Sequence, residues 1–146
     1  MRLTVMSVVW LIGAGAVSAQ SPDRVPAEGG DILITPIIHA SAQLEHAGKV
    51  IQIDPWSVGD LSQAKPADLI LVTDDPAHHL DPTAIAQLRK PGAPVVLTEK
   101  ARAGFPNGTV LSNGQSGVFA GIQVEAVGAY DMTPGLPFHP KGEANG

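Results

Sequence analysis

Short apolar runs punctuated by turn residues fill most of this chain, and few segments keep a helical period. Leu69-Ile70-Leu71-Val72 is the clearest run, four aliphatic residues bounded by polar positions, as in a buried strand. It opens onto a polar cluster, Asp74, Asp75, His78, His79 and Asp81. Asp81-Pro82 then reads as an N-cap with proline at the first helical position, starting a helix expected to run through Lys90. Upstream, residues 31–38 are rich in isoleucine, and Pro36 argues for an edge strand or a strand end. Residues 41–45 and 49–53 flank His46-Ala47-Gly48 as a hairpin, and Asp54-Pro55 ends its second strand. Residues 56–65 read as a loop.

Downstream, residues 94–97 form another buried-type strand, so strand, helix and strand make a βαβ-like unit with a right-handed crossover. A short helix is expected over 98–103, capped by Thr98 and ended by Gly104. Short strands over 109–111 and 117–120 are separated by the turn Asn113-Gly114, and 121–130 alternates like a half-buried strand. Residues 132–146, interrupted by proline and glycine, predict no regular element.

The N-terminus departs from this pattern. Arg2, an apolar run from Val5 to Val17 and the small-residue site Val17-Ser18-Ala19 have the layout of a secretory leader. Residues 1–19 are therefore expected to be a signal peptide cleaved before Gln20, residues 20–30 a flexible lead-in, and 31–146 one domain. The destination is secreted or periplasmic, with no stable membrane span after cleavage. The whole chain has 146 residues, 44% of them hydrophobic, which fits a single globular domain. Its formal charge of −5, with scattered Lys and Arg, argues against nucleic acid as a partner. With no cysteine, any metal must be held by His, Asp and Glu.

A buried strand that delivers acids and imidazoles to a helix start can build a metal site, because the core edge fixes the ligands while the loop leaves them open to solvent. The same residues are also ordinary turn formers, and both readings stand at this point.

Three stretches carry a resemblance: residues 48–55 (Gly-Lys-Val-Ile-Gln-Ile-Asp-Pro), residues 67–73 (Ala-Asp-Leu-Ile-Leu-Val-Thr) and His79-Leu80-Asp81. In order and spacing they resemble the metallo-β-lactamase superfamily, in its metal-dependent hydrolase branch. Residues 127–134 and 138–142 are similar to a later stretch of the same branch. The resemblance implies a core strand ending in Thr-His-x-His-x-Asp-His, which supplies ligands to one or two metal ions, usually zinc, whose bound water attacks a carbonyl or phosphoryl centre. Laid over this chain, the motif's Thr falls on Thr73 and its last His on His79. Its other ligand positions hold Asp74, Pro76 and His78. Pro76 has no donor atom and restricts Asp75. The family fold is a four-layer αββα sandwich of two similar halves, whose later half contributes a bridging Asp and a final His that find no counterpart here.

The resemblance thus implies an α/β fold, the N-terminal half of a truncated αββα sandwich, with one mixed sheet and helices on one face. It implies a metal-dependent hydrolase whose metal site is eroded and incomplete, and the N-terminal leader makes it an exported one. His79, His78, Asp74 and His139 are the expected metal ligands, with Asp75 or Asp81 as base or supporting carboxylate. Zinc is expected to bind weakly or not at all, and the substrate is a small molecule of unknown class. The alternative is a non-catalytic, self-associating module, a homodimer through a sheet face left open by the missing half.

Other residues bear on this reading. His39 sits where the branch often carries a histidine, though a strand-end role is equally consistent with its position. Asp54 either orients a ligand or simply ends its strand. His46 belongs to a hairpin turn. Asn107-Gly108-Thr109 matches a glycosylation sequon, a short pattern frequent by chance. On a regular element the adjacent His78 and His79 cannot both face inward.

Overall fold

In the computed structural model the described residues are 21–133, 139–142 and 144–145. The expected leader, residues 1–19, lies outside them. The backbone is organised by a seven-stranded mixed sheet in sequential order, from β1 (Asp23–Val25) through β2 (Ile32–Ile38), β3 (Ser41–His46), β4 (Lys49–Ile53), β5 (Leu69–Val72) and β6 (Val95–Leu97) to β7 (Thr109–Val110). The first four strands pair antiparallel, and β4 to β7 run parallel. Tight turns permit the antiparallel half. Ala47 and Gly48 both take positive φ between β3 and β4, the backbone that matches the twist of a two-residue hairpin. β1 pairs only with residues 32–34, so Pro36 lies beyond its reach, beside a register shift, where a missing N–H is tolerated.

Helix is scarce. Among the described residues, α1 (Pro82–Leu88) is the single α-helix, and Lys100–Ala103 form a 3-10 turn. α1 begins where Asp81-Pro82 predicted: the Asp81 carboxylate accepts from the backbone N–H groups of Thr83 and Ala84. It ends two residues short of Lys90. The expected cap at Thr98 is present as a bond from Ala101 N to Thr98 Oγ1 of 3.1 Å.

The period of two in β5 and β6 divides their residues between two cores. Ile70, Val72, Val95 and Leu97 pack with Leu80, Ile85 of α1 and Ala101. Leu69 and Val96 pack on the other side with Leu111 and Ala126. This second core receives Phe119, Ile122 and Val124 from an antiparallel hairpin of β8 (Ser116–Phe119) and β9 (Ile122–Glu125). The alternating Ile122 and Val124 thus lie in a hairpin packed against this side of the sheet. Its turn, Ala120-Gly121, also has positive φ at both residues. Finally β10 (Gly128–Ala129), inside the stretch expected to be strand, pairs with β11 (Ala144–Asn145), which lies where the sequence predicted no regular element. That strand has no alternation to read and exists through its partner. Among the described residues no helix is long and apolar enough to cross a membrane.

Candidate metal centre

Three chain turns bring the polar residues together. The β2–β3 turn presents His39, the end of β4 presents Asp54, and the loop after β5 presents Thr73 to His79. His39 and Asp54 both have left-handed backbone, at φ 51° and 43°, a conformation that non-glycine residues adopt at a cost and that recurs at functional sites. Ser41 Oγ donates to the Asp54 carbonyl, tying two of these turns together.

Asp54 is 1% exposed and its carboxylate is fully engaged. Oδ1 accepts the Thr73 N–H at 2.7 Å. Oδ2 accepts the Thr73 hydroxyl at 2.6 Å and lies 2.8 Å from His79 Nδ1. Because the threonine proton is already committed, an ionised Asp54 takes its remaining bond from Nδ1–H. That selects the tautomer in which Nε2 keeps its lone pair, the arrangement typical of metal-ligating histidine.

His39, His78 and His79 each offer a ring nitrogen, and these atoms all lie within 4.8 Å of one another. The expectation that His78 and His79 could not both face inward assumed a regular element. Their segment is a turn closed by bonds from His79 N and Leu80 N to the Pro76 carbonyl, both 2.8 Å, and the two ring centroids are 4.6 Å apart. Trp56 stands edge-on to His39 and His78, at centroid distances of 6.3 and 6.1 Å. Its position in a plain loop concealed it from the sequence. Burial, with the nearby His79 and His39 imidazoles, holds His78 below the usual histidine pKa, against the partial opposition of Asp74 and Asp54. Imidazole nitrogens are good ligands for a divalent transition metal, and three of them gathered within this distance fit such an ion by donor chemistry.

The other sequence candidates fall elsewhere. Asp74, 3% exposed, faces the next cleft, a cavity of about 200 Å³ lined also by Thr73, His79, Tyr130, Asp131 and His139. Its Oδ2 lies 3.4 Å from His139 Nε2, and Lys100 Nζ lies 3.5 Å from its Oδ1. Asp75 pairs with Lys100 at 3.1 Å. Asp81 caps α1 and accepts from Ser57 N at 2.9 Å and Ser57 Oγ at 2.5 Å. His78 and His79 are thus brought together with His39, while Asp74 and His139 meet each other. His46 packs near Gly29, away from these clusters.

Residues 33–143 match the β-lactamase superfamily domain, and the chain belongs to that family as a metallo-β-lactamase-like domain. A crystal structure of a Parabacteroides distasonis protein, provisionally named a metal-dependent hydrolase, is 34% identical with a TM-score of 0.76. The match covers 86% of this chain and 59% of that one, so the present chain spans about three fifths of its relative. No curated protein matches it.

Proposed function

We propose that this chain is a metal-dependent hydrolase whose His39, His78 and His79 hold one divalent cation, zinc by donor preference. The observation that carries the reading is the convergence of three imidazoles with His79 fixed from behind by Asp54. The family and the hydrolase relative support it, while Pro76, standing where the family motif expects a ligand, makes this an eroded version of the site. In the same reading the mixed sheet is one sheet of an αββα sandwich, and the protein is exported.

When bound, the cation supplies Lewis acidity, making water a nucleophile near neutral pH and polarising a carbonyl or phosphoryl oxygen. The chain's own residues do the rest. Asp54 holds the proton on His79 Nδ1. Trp56 packs edge-on against His39 and His78 and limits where their rings can turn. Thr73, Tyr130 and His139 line the cleft beside His79, where a small substrate would lie.

Equilibrium dialysis with zinc, followed by elemental analysis, tests the reading. His78→Ala and His79→Ala are expected to weaken binding at least tenfold, and metal-loaded wild type to hydrolyse some member of an ester, lactam and phosphodiester panel. Zinc binding that survives both substitutions would remove the centre. A second reading, a non-catalytic self-associating module, is favoured by the engagement of Asp75 and Asp81 with Lys100, Ser57 and α1. It expects no turnover from metal-loaded protein and a dimer by light scattering.

A further inference from the structure

The cleft beside the histidines holds a second cluster that the proposed metal centre does not use. Asp74 is a nearly fully buried carboxylate, and Asp75 follows it in sequence. A buried carboxylate is costly unless paired. Three groups meet this one: the Asp75 N–H at 2.9 Å, the Lys100 ammonium, and His139 Nε2. Lys100 reaches both carboxylates, at 3.5 and 3.1 Å. It projects from the 3-10 turn Lys100–Ala103, which is anchored by the fully buried Ala101 and the Thr98 hydroxyl bond. His139 is in turn held by Asp131. Its N–H donates to Asp131 Oδ2 at 2.9 Å, its carbonyl accepts from Asp131 N at 3.0 Å, and Nδ1 lies 3.5 Å from Asp131 Oδ1.

The spacing within this cluster is informative. Two ligands of one tetrahedral ion, each about 2.05 Å from it, stand roughly 3.3 Å apart. Asp74 Oδ2 and His139 Nε2 are 3.4 Å apart. Apart from the ammonium, the cluster therefore has donors and spacing suited to a divalent cation. The ammonium is a compact point charge on a flexible stem, able to serve two carboxylates from one position.

We infer that Lys100 is the resident cation of the Asp74–Asp75–His139 cluster and that it limits the chain to a single metal ion. An arriving ion would have to displace a charge already neutralising both carboxylates, which no loss of solvent alone offsets. The hydrogen bond to Asp75 raises the Lys100 pKa, burial opposes it less strongly, and the charges of Asp74 and Asp75 add to the rise, so the ammonium stays protonated across the neutral range. Because the stoichiometry counts the ion at the histidines, the inference rests in that part on the proposed function.

The test is metal stoichiometry on folded protein, by dialysis against zinc and separately manganese, with circular dichroism to verify the fold. Wild type is expected to hold one equivalent and Lys100→Met two, with second-site affinity at least tenfold tighter than in wild type. Lys100→Gln should behave like Lys100→Met, whereas Lys100→Arg should stay at one. Adding His139→Gln to Lys100→Met should abolish the second equivalent. Two equivalents in wild type, or one in both folded neutral variants, would overturn the inference. Wild type with no metal would instead overturn the histidine centre. The gain of one equivalent in Lys100→Met would then still support the role of Lys100, and no gain would end it.

Discussion

At Asp54 a left-handed backbone aims a buried carboxylate at both Thr73 and His79, so one substitution reaches the fold and the metal centre together. Asp54→Ala should weaken zinc binding about 10–100-fold, the usual effect of losing the partner behind a ligating histidine. It should also cost about 1–3 kcal/mol, because the Thr73 N–H loses its acceptor. Asp54→Asn keeps an acceptor and should fall between; calorimetric titration and thermal melts separate the two effects. Asp81 acts at the other end of the loop. Burial pushes its pKa up, yet hydrogen bonds from Ser57, Ala84 and Thr83 outweigh this and leave it lowered. Its contribution is therefore full above the ordinary carboxylate pKa, about 3.9, and lost as pH falls through the lower folded value. Asp81→Ala should cost about 1–2 kcal/mol at neutral pH. Melts against pH should show that gap holding down to about pH 4 and closing below it.

Among the elements, two hairpins carry a visible mismatch between residue and conformation. Ala47 and Ala120 sit at φ 46° and 52°, each before a glycine at φ 75° or 80°. An L-residue with a Cβ is strained there, whereas asparagine tolerates the region and Asn-Gly favours such turns. Ala47→Asn and Ala120→Asn should each stabilise by about 0.5–1 kcal/mol, read as a higher midpoint in urea at unchanged slope. A midpoint that falls would mean that these turns are held by something other than their own backbone preference. The β8–β9 turn could be found in the sequence only with hindsight. Phe119-Ala120-Gly121-Ile122 lacks the usual Asn or Asp signal, so the two strands read as separate segments.

For the whole molecule, the middle of the sheet is the cooperative unit. Ile70 is 0% exposed between β4 and β6, within the cluster that includes Ile85 of α1. Ile70→Ala should cost about 2–5 kcal/mol, a large share of the roughly 5–15 kcal/mol that holds a typical domain together. Denaturant unfolding measures it. Metal adds to that total through mass action, since the histidines converge only in the folded chain. Zinc at about a hundred times its dissociation constant should stabilise by about 2.7 kcal/mol. Chelation should lower the melting temperature of wild type and leave His78→Ala nearly unchanged.

Local chemistry made much of this legible from sequence alone. The β5 run, the Asp81-Pro82 helix start, the Ala47-Gly48 turn and the order of strands through β6 depend on residues near one another in the chain. So did the family, whose pieces keep their order. Tertiary structure decided which of the candidate residues meet. His39 joins His78 and His79 from a turn about forty positions away. Asp74 turns instead toward Lys100 and His139. Trp56 stands edge-on to His39 and His78, and the β8–β9 hairpin folds over a sheet face. Each is a contact between distant segments, fixed by how the β2–β3, β4 and β5 ends stack in one sheet. Residue spacing carries no record of that stacking.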